Sequence, residues 1–149
     1  MDRLIVERKL DSLRRCLARI ASRRPATVDA LEADLDLQDV LVLNLSRAVQ
    51  ICVDLATHLI ADLSLPPPDT MGAAFDRLAQ AGILDSDLTL RMRKAVGFRN
   101  IAVHAYDTID WKIVFAIATE RVRDFEAFAR AVAARLDVQA DQAQRAQSS

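Results

Sequence analysis

The stretch WKIVFAIATERVRDFEAFARAVAARL, residues 111–136, decides the fold class. Trp111, Phe115, Ala118, Val122, Phe125, Ala129, Val132 and Leu136 recur at spacings of 4, 3, 4, 3, 4, 3 and 4. Only an α-helix puts residues at that period on one side, so this segment is a helix with a single apolar stripe. Asp107 to Asp110 precede it as the expected cap. Beyond Leu136 the text DVQADQAQRAQSS is polar and low in complexity, so residues 137–149 are expected to form a frayed tail outside a domain of residues 1–136.

The same period runs outward through the chain. Val6, Leu10, Leu13, Leu17 and Ile20 stripe a first helix over residues 2–21, which Pro25 cannot continue. Thr27 or Asp29 caps the next stretch, residues 30–63, with a kink expected near Asp34–Asp36. That stretch carries two apolar rows, one through Leu41, Leu45, Ala48, Cys52, Leu55 and Leu59 and one through Val42, Val49, Val53, Ala56 and Ile60. One row is expected to face the core and the other a partner subunit. Asp54 and His58, four apart on it, are placed to pair. Pro66, Pro67 and Pro68 form a stiff connector. A short helix follows from a cap at Asp69 or Thr70 to a stop at Gly82, and another from Asp85, Ser86 or Asp87 into GFRNIAVHAY. No strand pattern competes. The expectation is an all-α five-helix bundle with two long antiparallel helices.

Composition agrees and excludes. Three Gly and four Pro in 149 residues are too few for the turns of a β-sandwich, and 52% hydrophobic content supplies a core. The net charge of −1 argues against coating long nucleic acid by charge alone, though a local basic patch stays compatible with it. Two cysteines without a Cys/His cluster give no metal site, and they read as reduced, buried thiols. The start MDRLIVERK has no signal-peptide core, and no run of apolar residues is uninterrupted enough to span a membrane, so the expected location is cytoplasmic.

Functional groups concentrate in residues 97–106. Arg99 offers a planar fork for phosphate, His104 an imidazole that exchanges protons near neutral pH, and Tyr106 a hydroxyl. Asn100 and His104 are i, i+4 and can hydrogen-bond on one face. Arg99 and His104 lie roughly 140° apart on an ideal helix, so they converge on one phosphate only if the helix ends near His104 or a second element closes the site. Arg91, Arg93 and Lys94 extend the positive charge upstream as candidate phosphate or RNA contacts.

The string RNIAVHAY, residues 99–106, resembles the R-N-x-x-x-H-x-Y signature of HepT-like proteins in the HEPN superfamily. The wider block GFRNIAVHAYDTIDWKIV, the helix LSRAVQICVDLATHLIA and the stretch ILDSDLTLRMRKAVGFRN resemble the same family, over roughly residues 3–135. The resemblance implies a toxin of a two-gene toxin–antitoxin module. It implies a homodimer in which two such motifs meet in one cleft, and an endoribonuclease that needs no metal and no cofactor. It implies an MntA-like minimal nucleotidyltransferase as antitoxin, which adds AMP to the motif tyrosine. Carried over, Arg99 and His104 are the catalytic pair, Asn100 supports them and Tyr106 is the modification target. Metal-free cleavage needs a base for the 2′-hydroxyl and an acid for the leaving oxygen; one histidine per chain falls short, and a dimer supplies two. The competing readings are a non-catalytic nucleotide- or RNA-binding partner of the nucleotidyltransferase and a purely structural helical dimer.

Overall fold

Each helix up to the last begins on a short polar side chain that accepts a hydrogen bond from its first turn. In the computed structural model, which describes residues 2–148, Asp2 caps α1 (Arg3–Arg23) and Thr27 caps α2 (Val28–Glu32). Asp34 caps α3 (Leu35–Asp62), Thr70 caps α4 (Met71–Gln80), Asp85 caps α5 (Ser86–His104) and Asp110 caps α6 (Trp111–Ala116). Such caps satisfy amides that have no partner within the helix. Met1 and Ser149, at the outer ends of the expected domain and tail, lie outside the described residues. Two helices stop on a left-handed residue: Ser64 (φ 56°) after α3 and Gly82 (φ 78°) after α4. There Leu65 N–H reaches back to the Ile60 carbonyl (3.1 Å) and Ile83 N–H to the Leu78 carbonyl (2.9 Å).

The protein is all-α, as expected. α1 and α3 are the two long antiparallel helices: Lys9 near the start of α1 reaches Asp54 late in α3 at 3.3 Å. The remaining expected helices are α4, α5 and a rod made of α6, a π-helical segment (Ile117–Arg121) and α7 (Val122–Ser148). The core joins all of them through Leu13, Leu45, Leu59, Phe75, Met92, Phe125 and Phe128. Phe75 and Phe128 meet edge to face, with ring centroids 5.5 Å apart.

Four expectations change. The kink at Asp34–Asp36 is a full break, because Asp34 caps a new helix and Gln38 donates to the Leu31 and Glu32 carbonyls (3.0 and 3.2 Å) that end α2. Both apolar rows of α3 are buried inside the chain, so neither is left for a partner subunit; α1, α4, α5 and α7 cover a helix that lies at the centre of the bundle. Asp54 takes Lys9 and Gln50 as partners instead of His58. Beyond Leu136, its last buried residue, α7 continues as helix through the polar segment to Ser148. The π-helical segment was not expected either. Thr119 bonds back to the Phe115 carbonyl at 2.7 Å, and Arg24 Nε donates to the Ala118 carbonyl at 2.8 Å.

Among the described residues, α3 alone is long and apolar enough to cross a bilayer by length and composition. Both of its apolar rows are covered, although Leu35 and Leu43 are exposed, and we read it as the core helix. Cys16 and Cys52 are free and buried, and burial pushes both thiols up, Cys52 the more strongly.

α5 is tied to its neighbours by charge. Arg91 Nε meets the buried Asp124 of α7 at 2.8 Å, and Arg93 pairs with Asp76 of α4. Arg91→Ala strands the Asp124 carboxylate and is expected to destabilise by about 2 kcal/mol. Lys94→Ala, exposed and without an ion pair among the described residues, is expected to change stability by less than about 0.5 kcal/mol. Urea denaturation of the two variants checks this; equal midpoints would show that the Arg91–Asp124 pair does not hold α5.

Candidate functional site at the end of helix α5

The site is built by the place where α5 stops. His104 is its last residue, and Ala105 leaves the helix at φ −145° and ψ 50°. A short 3-10 turn, Tyr106–Thr108, follows, closed by Thr108 N–H to the Ala105 carbonyl (2.9 Å) and Ile109 N–H to the Tyr106 carbonyl (3.1 Å). His104 is exposed on the final turn, where a cation is favoured by the helix dipole. Tyr106 stands immediately beyond it, so the helix ends where convergence of Arg99 and His104 requires.

Arg99 is half-buried, and its Nη1 lies 3.6 Å from Met71 Sδ at the start of α4. A thioether is a weak, neutral acceptor. It positions the guanidinium without cancelling its charge, and no carboxylate pairs with Arg99 among the described residues. Arg91 and Arg93 differ, since each is committed to a carboxylate within the chain. Asn100 is exposed, and the expected hydrogen bond to His104 does not form among the described residues.

Tyr106 is held from two sides. Its hydroxyl donates to Asp39 Oδ1 on α3 at 2.8 Å, and its ring meets Trp111 edge to face with centroids 6.1 Å apart. Partial burial, then the hydrogen bond and charge of Asp39, push the phenol up to about 12. The residue is still 41% exposed, so the site is open to solvent.

Beside this turn runs an apolar groove of about 520 Å³, walled by Phe98 and Ile101 of α5, Ile109, and Ile113 and Ile117 beyond it. Lys94 and Arg121 stand on its rim. Ile101 and Ile113 are exposed along it, with Val103 exposed nearby on the last turn of α5, so apolar surface is left uncovered beside the site. Among the described residues, no group of three or more His, Cys, Asp or Glu could hold a metal ion. Sequence reasoning missed Asp39, Met71 and Arg121, which join the site only through tertiary packing.

The family described as ribonuclease HepT-like matches residues 13–132. The chain belongs to that family. It is 33% identical over 124 residues to the mRNA nuclease HepT of Shewanella oneidensis, covering 83% of this chain and 92% of that protein. In three dimensions it resembles a tri-AMPylated Shewanella oneidensis HEPN toxin solved in complex with its MNT antitoxin. The TM-score is 0.83 at 32% identity, over 90% of this chain and 99% of that one. A toxin–antitoxin structure with AMP-PNP matches at a TM-score of 0.82 and 32% identity, over 87% and 98% of the two chains. The fold alone is shared with YutE of Bacillus subtilis, at 14% identity and a TM-score of 0.81 over 93% of each chain.

Tyr106 is the only tyrosine in this HepT-like chain, so phenolate absorbance reports on it alone. Its titration is expected to centre near 12, and Asp39→Ala is expected to move it towards 10, the ordinary phenol value. Because the folded value lies above the unfolded one, the stability it contributes is complete below about pH 10 and is lost as pH rises towards 12. A midpoint near 10 in the native protein would remove Asp39 from the site.

Proposed function

We propose that this chain is the toxin of a toxin–antitoxin pair, a metal-independent endoribonuclease that is neutralised when an MNT-type (MntA-like) nucleotidyltransferase adds AMP to Tyr106. The observation that carries the nuclease reading is the contrast among the arginines of α5. Among the described residues, Arg99 alone of the three keeps its charge unpaired, beside a helix end that exposes an imidazole. Family membership, and the names of the Shewanella relatives as an mRNA nuclease and as a toxin bound to an MNT antitoxin, support the substrate and the partner.

In this reading Arg99 binds the scissile phosphate and stabilises charge that builds on it in the transition state. The imidazole of His104 takes the proton of the ribose 2′-hydroxyl as that oxygen attacks phosphorus. A second His104, from another copy, returns a proton to the departing 5′-oxygen. Asn100 supports the pair, and Lys94 and Arg121 guide the backbone along the groove rim. The second copy would cover the exposed Ile101, Val103 and Ile113 and so form a homodimer.

The test is incubation of RNA with the unmodified protein in EDTA. Wild type is expected to cut, and His104→Ala to lose about 10²–10⁴-fold in rate. Arg99→Lys, which keeps charge but loses the fork, is expected to be impaired as well. RNA binding without cleavage by unmodified wild type would favour the alternative, a non-catalytic RNA- or nucleotide-binding partner of the nucleotidyltransferase. The pairing of Arg91 and Arg93 inside the chain, which shrinks the basic surface, is the observation on that side.

Assembly is tested separately. Light scattering is expected to show a dimer for wild type and a monomer for Ile113→Asp, with cleavage lost alongside. A monomeric wild type that still cuts RNA would refute the shared site.

A further inference from the structure

Asp39 has no structural task that explains its position. It lies beyond the first turn of α3, whose cap is already Asp34, so it satisfies no helix-end amide. It forms no salt bridge among the described residues. Among the described residues, the one side chain bonded to it is Tyr106, which reaches it from 67 residues away at 2.8 Å. The ring of Tyr106 is braced by Trp111, so the hydroxyl is aimed and does not wander over the surface. The residue nevertheless stays 41% exposed and is not sealed inside the bundle.

We propose that Asp39 is the residue of this chain that positions the Tyr106 hydroxyl and takes its proton when that oxygen attacks the α-phosphate of a nucleoside triphosphate. This rests on the reading of Tyr106 as the modified residue. In the step, the phenolic oxygen forms a bond to the α-phosphorus, and the bond from that phosphorus to the bridging oxygen of the β-phosphate breaks. Pyrophosphate leaves with the bond's electron pair, and the phenolic proton passes to Asp39 Oδ1. Nothing is oxidised or reduced.

The geometry suits the chemistry. A free phenol is held protonated here, so a standing phenolate is not available to attack. A carboxylic acid and a phenol ordinarily differ by about six pKa units, so a carboxylate does not deprotonate the phenol in advance. It accepts the proton as the new bond to phosphorus forms and the oxygen becomes acidic, which is how general bases act in phosphoryl transfer. The donor must already point at the base, and at 2.8 Å it does. Once the oxygen carries AMP, it has no hydrogen to donate. The phosphodiester anion then faces the negative Asp39, so the modified side chain leaves its latch.

The test compares wild type, Asp39→Asn and Asp39→Glu, each with its MNT-type nucleotidyltransferase and ATP, following AMP incorporation by intact mass. Asparagine keeps a hydrogen-bond acceptor for the tyrosine but loses the negative charge and with it the capacity to take a proton. The expected result is incorporation slowed about 100-fold in Asp39→Asn and largely restored in Asp39→Glu, with unchanged melting temperatures. Incorporation in Asp39→Asn at the wild-type rate would overturn the proposal while leaving Tyr106 as the target. Wild type that takes no AMP, or takes it elsewhere than Tyr106 by peptide mapping, would overturn the modification reading itself, and this proposal with it.

Discussion

The structure is organised around the need to cover α3. This 28-residue helix is apolar along two rows, and its length and composition would suit a bilayer. In a bundle the alternative to lipid is protein on every side. Here α1, α4, α5 and α7 pack against it and cover both rows. Leu41, Leu45, Leu55 and Leu59 are fully buried as a result, and truncating any one to alanine would forfeit about 2–5 kcal/mol. The position of α5 follows from this constraint and not from the chemistry it carries. Leu88, Met92, Val96 and Phe98 face the core, which fixes the rotation of the helix. That rotation in turn decides which of its polar residues face outward.

The rotation sorts the arginines. Arg91 and Arg93 fall beside carboxylates of α7 and α4 and serve as ties between helices. Arg99, lying further along α5, falls beside a thioether, which orients it and leaves its charge available. A run of four cations in the sequence is therefore not one basic patch. Two are structural, one is a candidate for the reacting phosphate, and Lys94 remains on the rim of the groove.

What the sequence made legible was what is local. Helical period, caps and stops act over a few residues, so Gly82 could be read as a stop and the cap of α5 narrowed to Asp85, Ser86 or Asp87, of which the structure uses Asp85. The π-helical segment at Ile117–Arg121 escaped because no glycine or proline marks it, and Arg24, which supports it, lies 94 residues away. The second apolar row of α3 was legible as apolar, but its assignment to a partner failed. A sequence pattern shows that a face is to be covered, not by which element. Asp39 was invisible for the same reason: an acid inside an apolar run looks like a solvent-facing residue until Tyr106 is seen to bond to it. Legibility thus ended where contacts pair residues distant in the chain.

Two separate features of the site point to a second copy. One chain brings one His104, while metal-free cleavage of RNA uses a base and an acid. The same end of the molecule exposes Ile101, Val103 and Ile113 near an open apolar groove whose floor includes Leu45 and Val49 of α3. Either feature alone has an ordinary explanation, since exposed histidines and isolated surface isoleucines are common. Their coincidence is more restrictive. Association through this face would bury the apolar surface and bring two helix ends, each with Arg99, His104 and Tyr106, to one place. It would also make Tyr106 an effective control point. A neutral hydroxyl two residues from His104 would become a bulky anion inside a cleft shared by both chains, so modification of one tyrosine would obstruct the phosphate path for both imidazoles.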